Sequence, residues 1–218
     1  MDLDHVFLLC DPDAPEAEAL RRIGLHEGPP NTHPGQGTAC RRFFFGDTYL
    51  ELLWITDERE ARSAAVSRTA LWERWQARRS GACPFGVVLR PSIDEPPDAA
   101  PPFPTWRYAA PYLAGGAAIE IGDGAALNEP FVAWLGSRRE PLPRAEPVAG
   151  GIAIGHLTEA CLSGPLPSVL SAPSEALVTE QVLDLEIAPR FRLTLTFDRG
   201  ESGRTADLGP ELPLALHW

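Results

Sequence analysis

The chain contains no lysine: its 19 basic residues are all arginine, set against 30 acidic ones for a formal net charge of −11 over 218 residues. This removes Schiff-base lysine chemistry and phosphate-loop lysines from consideration. An acidic chain without a basic stripe is also not expected to bind nucleic acid. Cysteine is scarce, and Cys10, Cys40, Cys83 and Cys161 form no C-x-x-C pair. They read as reduced core thiols rather than a disulfide framework or zinc cluster. No apolar run approaches the roughly 20 residues needed to span a bilayer, so no membrane partner is expected. The acidic start Met1-Asp2-Leu3-Asp4 lacks the basic segment of a secretory signal, and a cytoplasmic protein is expected. G-x-S-x-G, G-x-G-x-x-G and H-E-x-x-H are missing, so hydrolase, dinucleotide and zincin readings have no support and no nucleotide cofactor is expected.

The composition, 44% hydrophobic and 22% charged, is that of a soluble globular protein. Residues 3–10 read as a first strand. Residues 13–23 read as a short helix with Asp13 as its N-cap and Gly24 as its stop. A Pro/Gly-rich loop follows, then strands over 39–45 and 48–56 joined by a turn at Gly46-Asp47. With an irregular strand within 25–33, the order is β-α-β-β-β. Residues 58–79, free of Gly and Pro, predict a solvent-edged helix. Residues 84–90 read as a strand, 91–104 as an exposed loop, and short strand candidates surround Tyr108, Tyr112 and Glu120. A linker over 137–149 precedes strands at 152–162, 182–187, 190–198 and 212–218, with a short helix opening near Leu166. His156 sits near the start of its strand as His5 does in the first, which suggests a weak internal repeat.

His5 and Glu51 lie within two apolar runs, Leu3–Leu9 and Tyr49–Ile55. A buried imidazole or carboxylate costs several kcal/mol, on the order of 2–7, unless it is paired or bound to metal. A borderline divalent ion such as Zn, Fe, Mn or Ni would suit this donor pair. A hydrogen-bonded pair, or an ion pair of Glu51 with Arg41 or Arg42, serves as well. The loop carrying His33, Gln36 and Thr38 has glycines that allow close approach to a ligand, or it is a turn that satisfies its own backbone. Arg41 and Arg42 point to opposite sheet faces, so one of them is expected inward, able to hold a carboxylate. Trp54, Trp106, Tyr108 and Tyr112 are cleft candidates, with ordinary core packing as the alternative.

Leu3-Asp4-His5-Val6-Phe7-Leu8, Gly24-Leu25, His33-Pro-Gly-Gln-Gly-Thr38 and Tyr49-Leu-Glu51-Leu-Leu-Trp54 resemble the glyoxalase-like branch of the vicinal oxygen chelate superfamily. The resemblance implies an α+β fold of paired βαβββ modules whose mixed sheet curls around a cleft. It implies metal ligands at His5 and Glu51, with a matching pair from a second module. If that module begins at Ile152, His156 fills the histidine position and Thr194 stands where glutamate is expected. If it begins at Pro84, Gly86 falls on the histidine position and Glu120 alone remains.

The expected organisation is a first module over 1–57, a linking helix over 58–83, intermediate strands and Pro-rich loops over 84–150, and a second module over 151–218, forming one compact unit. The leading functional expectation is a metal-dependent enzyme of lyase, isomerase or dioxygenase type acting on a small oxygen-chelating metabolite. His5, Glu51 and His156 would bind the metal, and Glu51 or Glu120 would move protons. His33, Gln36, Thr38, Arg41, Arg42, Trp54, Trp106 and Tyr108 would contact substrate. The alternative is a metal-free protein that sequesters a small molecule. A third class is a domain that associates through sheet edges, and a homodimer is compatible with any of these.

Overall fold

The computed structural model describes residues 1–46, 48–113, 117–136, 154–209 and 211–218. The expected turn residue Asp47, the linker over 137–149 and the start of the expected second module at Ile152 lie outside these residues. The first part of the chain runs β1 (Asp2–Leu9), α1 (Ala17–Arg22), β2 (Asn31–His33), β3 (Thr38–Phe44) and β4 (Tyr49–Ile55). The helix starts later than expected. Asp13 and Ala14 adopt positive φ, which makes them a turn rather than a cap. Gly24, at φ +89°, ends the helical segment as expected.

The predicted continuous helix over 58–79 is broken into α2 (Glu58–Ala61), a 3₁₀ turn at Ser67–Thr69 and α3 (Leu71–Ala77). Ala70, in the left-handed region at φ +54°, separates the last two. The break lets Val66, Thr69, Leu71 and Arg74 all be buried. The Arg74 guanidinium is held by the carbonyls of Ala126, Leu127 and Glu129.

β5 (Phe85–Arg90), β6 (Thr105–Tyr108), β7 (Ile119–Gly122) and β8 (Phe131–Trp134) follow. They join the first four strands in one eight-stranded sheet of order β2-β3-β4-β1-β5-β8-β7-β6. β1 runs parallel to β4, β5 runs parallel to β8, and the two halves meet through the antiparallel pair β1–β5. The first module therefore pairs with residues 85–134, whereas the sequence pointed to 151–218. In this second half a Pro-rich loop stands in place of the module's helix.

The remaining chain, β9 (Leu157–Gly164), α4 (Ala172–Thr179), β10 (Asp184–Ile187), β11 (Arg192–Phe197), β12 (Thr205–Asp207) and β13 (Leu214–His217), builds its own five-stranded sheet, β10-β9-β11-β13-β12. Its order of parallel and antiparallel pairs repeats that of β4-β1-β5-β8-β7. It is a shortened copy of the first sheet, and the internal repeat is real at the level of topology. The register differs from the one read in the sequence. A bulge at Asp4 in β1 matches a bulge at Thr158 in β9, so the counterpart of His5 is Glu159. His156 lies ahead of the strand and is exposed.

The two sheets pack face to face. Val6, Leu8, Phe43, Leu50, Leu52, Phe85, Val87, Leu89 and Trp134 of the first meet Leu162, Leu193, Leu195, Phe197, Leu214 and Leu216 of the second. The opposite face of the large sheet carries a separate apolar set including Phe7, Leu9, Leu53, Val88, Ile121 and Ala133. Covered on both faces, β4 is buried throughout, which is why its sequence shows no polar alternation. β11 does alternate, because only one of its faces is covered.

Candidate functional site

The inner face of the eight-stranded sheet encloses a cavity of about 480 Å³. β1 and β4 place His5 and Glu51 on its floor, because residues two apart along a strand share a face. His5, Phe7 and Leu9 point inward while Val6 and Leu8 point to the core between the sheets. The bulge at Asp4 re-aims the strand there, and it leaves the Asp4 carboxylate fully buried against His5, with Nδ1 to Oδ1 at 2.7 Å. Arg90 lies 3.5 Å from the other Asp4 oxygen. Nε2 of His5 faces Glu51 Oε2 at 3.8 Å, and the imidazole stacks on Tyr49 at 4.3 Å.

Glu51 is 8% exposed, and beneath it lies the Cys40 thiol, whose pKa is pushed well above the ordinary value by burial and then by the Glu51 charge. An Asp4 carboxylate that accepts the Nδ1 proton leaves the lone pair of Nε2 turned toward a carboxylate oxygen. Two acceptors in that relation are held together only by a proton, a donor or a cation between them.

The loop after β2 forms the adjoining wall. His33 meets the Thr38 hydroxyl through Nδ1 at 2.8 Å and the Asn31 amide nitrogen through Nε2 at 3.2 Å. The Asn31 carbonyl oxygen already accepts from the Thr32 N–H. Its amide nitrogen therefore donates to Nε2, and the His33 proton sits on Nδ1, where it donates to Thr38. Gln36 donates to the same hydroxyl and accepts from the Tyr108 hydroxyl, both at 2.9 Å or less. Tyr112 packs its ring on His33 at 4.6 Å. This chain of contacts ties the first half of the sheet to the second across the cleft.

Burial holds the His33 pKa below its ordinary 6.5, opposed by Glu51 and assisted by Arg42 and His5. The folded protein binds this proton less readily than the unfolded chain, so stability is full above the ordinary value and falls as pH drops below it toward the folded value. His33→Asn is expected to flatten urea midpoints between pH 7 and pH 5 relative to wild type, and an unchanged slope would refute the assignment.

The two halves of the cleft differ in chemistry. The first contributes His5, Asn31, His33, Gln36, Arg42 and Glu51, and the second contributes Val88, Ile119, Ile121, Phe131, Ala133 and Leu135. At the positions facing His5 and Glu51 the second half has Gly86, Val88, Phe131 and Ala133 in place of donors. A side chain at Gly86 would meet the Phe7 ring at 2.1 Å, so a ligand-bearing residue does not fit there with Phe7 in place. Gly86→Ala is expected to cost about 1–3 kcal/mol through overpacking. Adding Phe7→Leu should recover most of that loss in urea denaturation, which checks that the ring is the obstacle.

Among the described residues, no group of three or more His, Cys, Asp or Glu is placed to hold a metal ion. Within the described part of the cleft, His5 and Glu51 are therefore short of the three protein ligands a catalytic metal centre takes.

The structure sorts the remaining sequence candidates. Arg42 is the inward arginine and lines the cavity, while Arg41 lies on the other face, paired with Glu27 at 2.7 and 2.8 Å. Thr38 is buried behind His33 and Gln36. Trp54 belongs to the core between the sheets, not to the cleft. Trp106 packs beside Tyr108 at the edge of the inner apolar set, under the Arg68 guanidinium, and lines a different, smaller pocket. Glu120 alternates with the inward Ile119 and Ile121, accepts from the Thr105 hydroxyl and does not line the cavity. His156 does not line it either; its backbone N–H binds the Asp198 carboxylate. Sequence reasoning did not single out Asp4 or Asn31. Asp4 was detectable by the argument applied to His5, as a charged residue inside the same apolar run.

No curated protein matches this sequence. Among solved structures, the crystal structure of a hypothetical protein from Staphylococcus aureus aligns over 99% of this chain and 98% of its own, at 9% identity and a TM-score of 0.47. Residues 3–101 match the family model described as a glyoxalase-like domain. The paired modules and curled mixed sheet that residues 2–134 build fit the glyoxalase-like fold of the vicinal oxygen chelate superfamily, which the family match over residues 3–101 supports for that part of the chain.

Proposed function

We propose that the protein binds a small organic molecule in the inner cleft of the large sheet, using its own side chains rather than a resident metal. The observation that carries this reading is the division of the lining. One wall offers His5, Glu51, His33 and Arg42, and the facing wall is apolar where a second ligand pair would be needed. Such a cleft orients a molecule that has a polar end and an apolar body. His5 and Glu51, at 3.8 Å, are also suitably placed to move a proton on the bound molecule, as acid and base. Four unpaired cysteines fit a reducing compartment. Among the described residues, no helix is long and apolar enough to cross a membrane.

The test is metal content together with ligand binding, on protein purified without chelator or His tag. The expected result is substoichiometric metal by mass spectrometry and no rise in Tm with Zn, Mn, Fe, Ni or Co. Saturable binding of small apolar-bodied compounds, weakened in Glu51→Gln, is expected in the same preparation. One metal per chain that is lost in His5→Ala would overturn the metal-free reading. It would favour the metal-dependent enzyme, in which the Asp4 carboxylate would orient His5 as a ligand.

A further inference from the structure

Resting on the binding reading above, we infer that the ligand is a zwitterion with an apolar body, such as an aromatic or branched α-amino acid. Its ammonium group would lie against Glu51 and His5, and its carboxylate against Arg42. Arg42 and Glu51 are direct cross-strand partners in the β3–β4 ladder, and both line the cavity. They make no ion pair with each other. Among the described residues, the Arg42 guanidinium bonds only the Pro29 carbonyl, through Nε at 3.0 Å and Nη2 at 2.9 Å, and rests over the Phe44 ring. The other nitrogen, Nη1, has no partner among these contacts. In a chain of net charge −11, an arginine that faces a cavity without a carboxylate is available to an anion.

Glu51 is the opposite case, a largely buried carboxylate whose charge falls on the neighbouring Cys40 thiol, a weak donor. With Asp4 holding Nδ1 of His5, Nε2 and Glu51 Oε2 present two acceptors to the same space. An ammonium group donates to both, which a hydroxyl with its single proton cannot do. Two opposite charges held on neighbouring positions are together neutralised by a ligand carrying both signs a few atoms apart. An anion alone would meet the Glu51 charge, and a cation alone would meet Arg42. The apolar wall of Val88, Phe131 and Ala133, beside Tyr108 and Tyr112, takes the body of the molecule.

Isothermal titration would compare phenylalanine, leucine and tryptophan with three altered forms of phenylalanine. These are N-acetylphenylalanine and 3-phenylpropanoate, which lack the ammonium group, and phenylalanine methyl ester, which lacks the carboxylate. Phenylalanine is expected to bind about tenfold or more tightly than its altered forms, the gain ordinary for a charge-assisted hydrogen bond, with leucine and tryptophan reporting how the apolar body is accommodated. In Arg42→Gln the acid and ester should become equal while the preference over the N-acetyl form persists, and in Glu51→Gln the reverse should hold. If 3-phenylpropanoate or the ester binds wild type as tightly as phenylalanine, the zwitterion is wrong and the binding cleft stands. If none of the compounds binds, or binding survives the cleft-filling Ala133→Trp, both inferences fall.

Discussion

Asp4→Ala is expected to lower stability by about 3 kcal/mol, toward the low end of what breaking a buried pair costs. The carboxylate is fully buried, and its removal strands the Nδ1 proton of His5 without its partner in the protein interior. Arg90, the more distant partner, can turn partly toward solvent, which keeps the loss from reaching the top of the range. For a chain of this size the change corresponds to a fall of roughly 6–12 °C in Tm. Asp4→Asn keeps one acceptor for the imidazole and should lose about half as much. The two variants also test the site, because a released His5 ring should weaken ligand binding in Asp4→Ala beyond its effect on folding. If Asp4→Ala unfolds at the wild-type urea midpoint, the buried bond is not contributing and the picture of a held imidazole fails.

Trp134→Ala is expected to be more damaging still, costing about 3–5 kcal/mol. Trp134 is 1% exposed in the core between the two sheets, and its indole N–H donates to the Ala99 carbonyl at 3.1 Å. Alanine there leaves a cavity in the layer that joins the sheets and an unpaired carbonyl in the Pro-rich loop. Trp134→Phe keeps most of the volume and loses the hydrogen bond, with an expected cost of about 1–2 kcal/mol. Trp106→Ala, half-buried on the edge strand β6, provides the comparison. A Trp134→Ala protein no less stable than Trp106→Ala would mean that the second sheet is not held through this core. A lowered urea slope with a normal midpoint would point the same way.

Much of the local structure was legible because local rules decide it. β1 and β4 announce themselves as leucine-rich apolar runs with aromatic residues, β3 as a short stretch ending in phenylalanines, and His5 and Glu51 stand out as polar guests within the apolar runs. Other positions were legible but misread. In β4 the faces alternate, so Glu51 and Leu53 share the cleft and Trp54 must join Leu50 and Leu52 on the core side. The same parity puts Glu120 opposite Ile119 and Ile121. β8, Phe131–Trp134, is only four residues long and offers too little periodicity to be seen in the sequence.

The sequence by itself determined the βαβββ order of the first 57 residues, the polar pair His5 and Glu51, and the inward turn of either Arg41 or Arg42. Each of these follows from backbone propensity and from the two-residue period of a strand. Only the tertiary structure decided which later segment partners the first module. Strand pairing joins residues far apart in the chain, and it is β5 that pairs with β1 and β8 with β5, extending the sheet of the first module. Tertiary structure likewise decided that the partner half brings Val88, Phe131 and Ala133 rather than a second ligand pair. It set Asp4 behind His5 through a bulge that no local pattern encodes. The chemistry of the cleft is a property of two halves meeting, and the sequence of either half alone leaves it open.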